Sequence, residues 1–308
     1  MRARGTVLSV VVLLAGAAVP ALGRNAASMN GRIAFQAYAG AHRQVFTINP
    51  DGTGLRQVTR LAGAEQPHWA PDGSRIAFDV PAAGGPRLFT ARRDGSDVRA
   101  VRITPSESGA APAYAPDGGS LAFERRSGSR RGIFVVAVDG GVPRRITTAG
   151  AATSAYDTAA TWAPGGARLA FTRVRSAGQA AVHVIRADGS GLRRLTPWNL
   201  DASAASWAPD GSKLVFESYS TPHAGRSANL FTIAPGGGVM TQLTHFSGGR
   251  THAFGPAWSP DGRRIVWHKI GPGVNQLFVS DRDGSHERQL TRMPGNPRPS
   301  HAAWGPTG

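Results

Sequence analysis

The side chains with chemical potential in this sequence are imidazoles and carboxylates that stand just before a series of regularly spaced aromatic residues. They are Glu65, His68, Asp157, Asp201, His252 and His301. Groups of these types bind divalent cations and transfer protons. They lie far apart in the sequence, so they can form a site only if the fold brings equivalent segments together. The alternative is ordinary polarity of loops and strands around a water-filled channel.

Familiar catalytic motifs are absent from the sequence. It contains no Gly-x-Ser-x-Gly nucleophile elbow, no phosphate-binding glycine loop and no cysteine. His286-Glu287 begins like a zinc-protease helix, but Leu290 stands where the second histidine is needed. Residues 281–284 (Asp-Arg-Asp-Gly) indicate a hairpin turn, because a calcium loop needs a later glycine and a bidentate glutamate. We therefore assign no catalytic residue and no metal ligand.

The aromatic residues belong to a repeated phrase, which reads Trp-Ala-Pro-Asp-Gly-Ser-Arg-Ile-Ala-Phe at residues 69–78. Four further copies begin at Tyr114, Trp162, Trp207 and Trp258, at intervals of 45 to 51 residues. A sixth copy is divided: residues 31–35 carry its second half and residues 304–306 its first. A fixed period of this length is typical of equivalent units in an array. The divided copy predicts that the first and last strands share one sheet.

Each unit contains the signals for about four short strands. Proline, aspartate and glycine make a turn before Ile-Ala-Phe, whose apolar residues suit a sheet buried on both faces. A hairpin phrase follows, with Asp-Gly or Gly-Gly between two alternating stretches; its copies run over residues 45–59, 88–104, 133–147, 182–196, 230–244 and 277–291. The sequence predicts an all-β, six-bladed propeller of four-stranded antiparallel blades, closed by the C-terminal strand. In this ring the residues before each aromatic would meet at a central funnel.

The N-terminus predicts a secretory signal peptide over residues 1–23. A basic start precedes an uncharged apolar run over residues 6–22, and Ala21-Leu22-Gly23 is a small-x-small cleavage site. A single membrane anchor is the alternative, since the run has the length of a short span. Cleavage would leave one propeller domain over residues 24–308, exported to the periplasm or cell surface and without a transmembrane span.

The net charge of +16 bears on the partner. A basic surface attracts acidic proteins or acidic envelope polymers, and salt weakens the attraction. Nucleic acid is not expected, because the arginines are spread over all repeats without a dense aromatic-interleaved run.

The repeat resembles that of the TolB-type β-propeller family, and residues 258–262 match its Trp-Ser-Pro-Asp-Gly phrase in full. The resemblance extends over residues 30–306. It implies the propeller fold, but not one activity, because the family includes periplasmic binding proteins, propellers beside peptidase domains and sugar-acting lyases. The full TolB protein also has an N-terminal domain that engages partners, and that role is not carried over here.

Together these observations predict a monomeric, non-catalytic binding module without a cofactor. One face of the propeller would bind a protein, a peptide or an envelope polymer, with the six residues named first at the funnel rim. The alternative is a metal-assisted lyase or hydrolase of anionic polysaccharide, in which His252, His301 and Asp201 surround a divalent cation in the funnel.

Overall fold

The architecture is a ring of six four-stranded antiparallel sheets, as the sequence predicts. The computed structural model describes residues 30–105, 108–125, 131–148, 155–175, 178–219, 226–295 and 297–307; the predicted signal peptide lies outside them. No helix within these ranges has the length and apolar character to cross a membrane.

The blades follow one another along the chain, and in each the innermost strand is written first. Blade 1 is β24 (Ser300–Trp304), β1 (Ile33–Ala39), β2 (His42–Ile48) and β3 (Arg56–Gln57). Blade 2 is β4 (Glu65–Trp69), β5 (Arg75–Val80), β6 (Arg87–Arg92) and β7 (Arg99–Ala100). Blade 3 is β8 (Ala110–Tyr114), β9 (Ser120–Arg125), β10 (Gly132–Ala137) and β11 (Arg144–Arg145).

The second half of the ring repeats this order. Blade 4 is β12 (Tyr156–Trp162), β13 (Arg168–Val174), β14 (Ala180–Arg186) and β15 (Arg193–Arg194). Blade 5 is β16 (Ser203–Trp207), β17 (Leu214–Tyr219), β18 (Ala228–Ile233) and β19 (Thr241–Gln242). Blade 6 is β20 (His252–Trp258), β21 (Arg264–Gly271), β22 (Val274–Asp281) and β23 (Arg288–Gln289).

The hydrophobic core lies between neighbouring blades. Ile76 and Phe78 of blade 2, for example, are fully buried in one cluster with Ala34 and Val45 of blade 1. The Ile-Ala-Phe phrase therefore presents apolar side chains on both faces of its strand, and each face packs against a different neighbour. A single blade could not bury these surfaces alone.

The hairpin phrase is fixed by a buried threonine. The Oγ1 of Thr59 accepts a hydrogen bond of 2.9 Å from the Val45 N–H, and the same bond recurs in blades 3 to 6. Blade 2 differs from the prediction that its phrase ends at Thr104. The Val101 N–H donates to the Leu88 oxygen at 2.9 Å, as Val58 does to Val45, which places Arg102 at the threonine position.

The ring closes through β24, as predicted. Trp304 pairs with Ile33 and Ala303 pairs with Ala34, so the end of the chain supplies the innermost strand of blade 1. The Gly31 N–H donates to the Gly305 oxygen at 2.8 Å, and the Trp304 Nε1–H donates to the Gly31 oxygen at 3.2 Å. A Cβ on Gly31 would lie 1.9 Å from the Pro306 oxygen, so glycine is required at this closure.

We expect Gly31→Ala to reduce the free energy of unfolding by about 1–3 kcal/mol or more, because the methyl group must displace closing backbone. Urea or thermal unfolding measures the change. Gly84→Ala is the matched control, since a Cβ there meets nothing within 4 Å. Equal stability of the two variants would show that the closure does not hold the ring.

Candidate functional site

A cavity of about 380 Å³ lies on the axis of the ring, where the innermost strands of all six blades meet. Each of these strands contains a β-bulge, seen as a shift in pairing register with its neighbour. At each bulge one residue has a φ between 50° and 55°; these residues are Gln66, Ala111, Ala159, Ala204, Gly255 and His301. The bulge turns the next two or three residues toward the axis, where they line the cavity.

The bulged N–H groups are satisfied by polar side chains from the preceding blade. These side chains follow directly after the Ile-Ala-Phe phrase. At five seams the acceptors are Gln36 for Gln66 N (2.7 Å), Asp79 for Ala111 N (3.0 Å), Glu124 for Ala159 N (2.9 Å), Thr172 for Ala204 N (3.2 Å) and Glu217 for Gly255 N (2.5 Å). All of these acceptors except the partly buried Glu217 are at most 3% exposed. Blades 1 to 5 therefore each hold the innermost strand of the next blade in register.

The cavity wall is apolar. It consists mainly of alanine, of prolines such as Pro67, Pro112 and Pro256, and of the repeated aromatic residues of five blades. Within the described part of the chain, no aspartate, glutamate, lysine or arginine lines it. A small residue recurs because six strands converge on one axis and leave little room for side chains. Small residues at the three positions before each repeated aromatic are the sequence signal of this wall. The sequence prediction relied instead on the polar residues found near those positions.

His68 and His301 are the two predicted site residues that line the cavity. His68 is partly buried, and its Nδ1 lies 3.0 Å from the Trp69 oxygen and 3.2 Å from the Tyr114 nitrogen. Burial lowers the pKa of His68, which favours the neutral imidazole. His301 occupies a bulge position and is exposed, with its Nδ1 at 3.3 Å from the Ser300 Oγ.

Three hydrogen-bond donors on the repeated aromatic side chains have no hydrogen-bond partner in the described part of the chain. Among the described residues, Trp69 Nε1, Trp258 Nε1 and Tyr114 Oη are buried and unpartnered, and all three residues contribute to the cavity wall. Burial also raises the pKa of Tyr114 to about 12, so its phenol stays neutral. These three atoms are covered by neighbouring residues, so the polar atoms that face the cavity come from other lining residues: Gln66, His68, Thr161, Ser206 and His301.

Two predicted carboxylates are engaged outside the cavity. Asp157 is fully buried and forms a bidentate pair with Arg173, with N–O distances of 2.6 and 2.8 Å. These hydrogen bonds raise the pKa of Arg173. Glu65 lies 3.2 Å from Arg43 in a partly exposed ion pair. Neither residue lines the axial cavity.

The remaining two predicted residues connect chain segments near the start of the inner strands. Asp201 ends a short 3-10 helix in a left-handed conformation and lies 3.1 Å from Arg226. His252 accepts the Ala228 N–H at Nδ1 (3.1 Å), which leaves Nε2–H to donate to the Gly249 oxygen (3.1 Å). Both ring nitrogens of His252 are therefore occupied by backbone.

The described residues contain no group of three histidine, cysteine or acidic side chains that could hold a metal ion. His252, His301 and Asp201, the three residues of the metal-assisted alternative, accordingly do not form such a group. A role in binding for any of the six predicted residues stays a prediction. The geometry shows which of them face the cavity and which are held by neighbouring side chains or backbone.

Comparison with known proteins places the chain in a family. A family model described as the TolB beta propeller domain matches residues 102–308, two thirds of the chain. The chain belongs to the TolB β-propeller family. No curated protein matches it in sequence.

Solved structures share the TolB-type fold. A putative TolB from Agrobacterium tumefaciens is 18% identical with a TM-score of 0.68, and the match covers 91% of this chain and 92% of that one. TolB from Acinetobacter baumannii is 21% identical with a TM-score of 0.73, over 90% of this chain and 67% of that one. A chain from a nidogen/laminin complex is 13% identical with a TM-score of 0.70, covering 89% and 98%.

The seam between blades 5 and 6 of this TolB-type propeller gives a pH-dependent prediction. Loss of hydration raises the pKa of Glu217, so the folded protein holds its proton more tightly than the unfolded chain. The stabilisation from the protonated form is complete below the unfolded pKa and is lost as pH rises through the folded pKa. Relative to Glu217→Gln, which has no such titration, the wild-type free energy of unfolding should fall over this range.

Thr172→Val is the matched control, because Thr172 performs the same task at another seam without a titratable group. Its loss of a hydrogen bond to a buried donor should cost about 1–3 kcal/mol, with little dependence on pH. Urea unfolding between pH 4 and pH 8 compares the three proteins. A constant difference between wild type and Glu217→Gln would contradict the assignment.

Proposed function

We propose that this chain is an exported, non-catalytic binding module that accepts a short apolar segment of a partner protein at its axial cavity. The observation that carries the proposal is the apolar wall of alanine, proline and indole around that cavity. Ligand sites are concave and mainly apolar, with few polar groups that fix orientation. The imidazole of His68, which lines the cavity, is such a polar group here.

The size of the cavity suits a small anchor. Its volume of about 380 Å³ lies near the lower end of the ligand-pocket range of about 300–1,000 Å³. Its wall belongs to strands rather than to long loops, and each strand is held by the preceding blade. A wall of this kind is ordered before binding, which reduces the entropy that association costs.

The charge distribution supports an acidic partner around the apolar anchor. The net charge of +16 attracts acidic surfaces over distances of about a Debye length, roughly 8–10 Å at moderate salt. The cavity itself contains no charged wall residue among the described residues. Steering would therefore come from the exterior, and specificity from the apolar centre.

The family and the N-terminal sequence agree with this role. TolB propellers form the family to which the chain belongs, and one similar structure comes from a nidogen/laminin complex. The basic and apolar residues 1–23 support export of the mature protein. The catalytic alternative lacks a specific supporting observation in the described residues, so we put forward the binding role alone.

Ala257→Leu should abolish capture of the partner. Ala257 lines the cavity at the position that His68 occupies in blade 2. It also packs against the core cluster of blades 1 and 6, so urea unfolding must first show that the variant is folded. The leucine would fill the space needed by the partner. The measurement is a pull-down from envelope extract with the immobilised mature protein, followed by identification of the retained proteins.

Ala100→Leu makes the same chemical change on an exposed edge strand and is the control. We expect wild type and Ala100→Leu to retain a protein that Ala257→Leu loses. The purified partner should also bind more weakly at high salt, as the charge argument requires. Equal retention by all three proteins would refute binding at the axial cavity.

A further inference from the structure

Blade 4 differs from the other blades in the pair of side-chain rings that pack across its second and third strands. In five blades these rings are a stacked pair of carbocyclic or indole side chains: Phe35–Phe46, Phe78–Phe89, Phe123–Phe134, Phe216–Phe231 and Trp267–Phe278. In blade 4 the pair is Phe171 and His183, with centroids 5.5 Å apart. A residue that breaks an otherwise regular repeat indicates a local requirement beyond packing.

The His183 imidazole connects this pair to a third ring nearer the surface. Trp198, which lies outside the repeated phrases, has its ring centroid 5.5 Å from that of His183. It is carried by the short 3-10 helix Trp198–Leu200 and is partly buried. The result is a continuous series of rings, Phe171, His183 and Trp198, from the blade interior to its edge.

Two exposed arginines are gathered on the outer ring. The Arg175 guanidinium carbon lies 3.8 Å from the Trp198 ring centroid, and that of Arg194 lies 5.5 Å from it. Both distances fall within the range of cation–π attraction, about 6 Å. Both guanidinium groups therefore lie beside the same indole, which attracts each of them.

Neither guanidinium has an acidic partner. Within the described chain, Arg175 and Arg194 form no ion pair and no side-chain hydrogen bond, whereas Arg43, Arg173 and Arg226 are each paired with a carboxylate. A guanidinium offers five N–H donors and no acceptor. The patch formed by Arg175, Arg194 and Trp198 is therefore rich in positioned, unused donors.

We propose that this patch binds an anionic polysaccharide through the carboxylate or sulfate groups of neighbouring sugar units. Planar guanidinium groups bind such oxyanions in bidentate fashion, and attraction to the indole restricts their positions before binding. Two of them on one ring suit a ligand that carries repeated negative charges.

The surface suits a polysaccharide better than a protein. Protein interfaces usually have an apolar centre surrounded by a polar rim. Here the one aromatic ring is partly buried and a guanidinium covers it at 3.8 Å, which leaves little apolar surface for an anchoring side chain. None of the three residues lines the axial cavity, so the site is independent of the proposed protein-binding role.

The test measures binding of the mature protein to defined polyanions by calorimetry. The probes are a polygalacturonate oligomer for carboxylate, a heparin fragment for sulfate and dextran as the neutral control. We expect wild type to bind at least one of the two polyanions, more weakly as salt increases, and not to bind dextran. Arg175→Ala combined with Arg194→Ala should weaken binding roughly tenfold or more, because charged hydrogen bonds are lost.

The matched control is Arg168→Ala combined with Arg186→Ala, which removes two exposed arginines that pair across the second and third strands at the opposite end of the same blade from Arg175. It should change the affinity less than about twofold, a difference below about 0.4 kcal/mol. Equal weakening by the two double variants would reduce the effect to general charge and overturn the proposal. Failure of wild type to bind either polyanion would overturn it as well.

Two further comparisons examine the chemistry of the patch. Replacing both Arg175 and Arg194 with lysine keeps the charge but removes the planar fork, so affinity should fall to an intermediate value; full retention would contradict the stacked-guanidinium assignment. A polyglutamate peptide should bind more weakly than the polysaccharides. If it bound equally well with the same dependence on Arg175 and Arg194, the ligand class would be wrong.

Discussion

The structure depends on one recurring interaction, seen at five seams: the hydrogen bond from the bulged N–H of an inner strand to a polar side chain of the preceding blade. A backbone donor without a partner in the interior costs free energy, so a bulge there needs an acceptor. Asp79 and Glu124 supply it across their seams at 3.0 and 2.9 Å. Since the acceptor belongs to a different blade, no blade is complete alone. This dependence makes closure through β24 a requirement of the whole ring.

The same interaction explains why the axial cavity is apolar. The bulge residue takes a left-handed conformation, which disfavours large branched side chains. The residues that follow it are turned toward a narrow axis, where Ala113 and Ala257 fit beside Pro67. The bulged N–H groups at five seams are used between blades rather than presented to the cavity. A mainly apolar wall with a few uncharged polar side chains is thus a consequence of how the blades are joined.

Much of the fold could be predicted because the repeated phrase specifies local structure in each unit. The phrase predicted the number of blades, the strands and the shared closing sheet. The candidate site was harder to predict, because the roles of Asp157, Asp201 and His252 depend on partners that the fold brings to them. The seam acceptors were also missed, since glutamine, aspartate, glutamate and threonine share a position directly after the Ile-Ala-Phe phrase but not a residue type. In blade 2, Arg102 takes the place of the threonine, yet the backbone pairing of the hairpin is the same as in the other blades.

Equivalence among blades also gives a way to separate structural from functional residues. A side chain repeated at the same position around the ring is explained by the joining of blades, as the buried threonines are. His68 in the cavity and the pair of His183 and Trp198 in blade 4 have no equivalents of the same type in the other units. Trp198 still holds two unpaired guanidinium groups beside it, an arrangement that packing alone does not require. In a ring whose regular positions are committed to closure, specificity for a ligand has to arise where the repeat is broken.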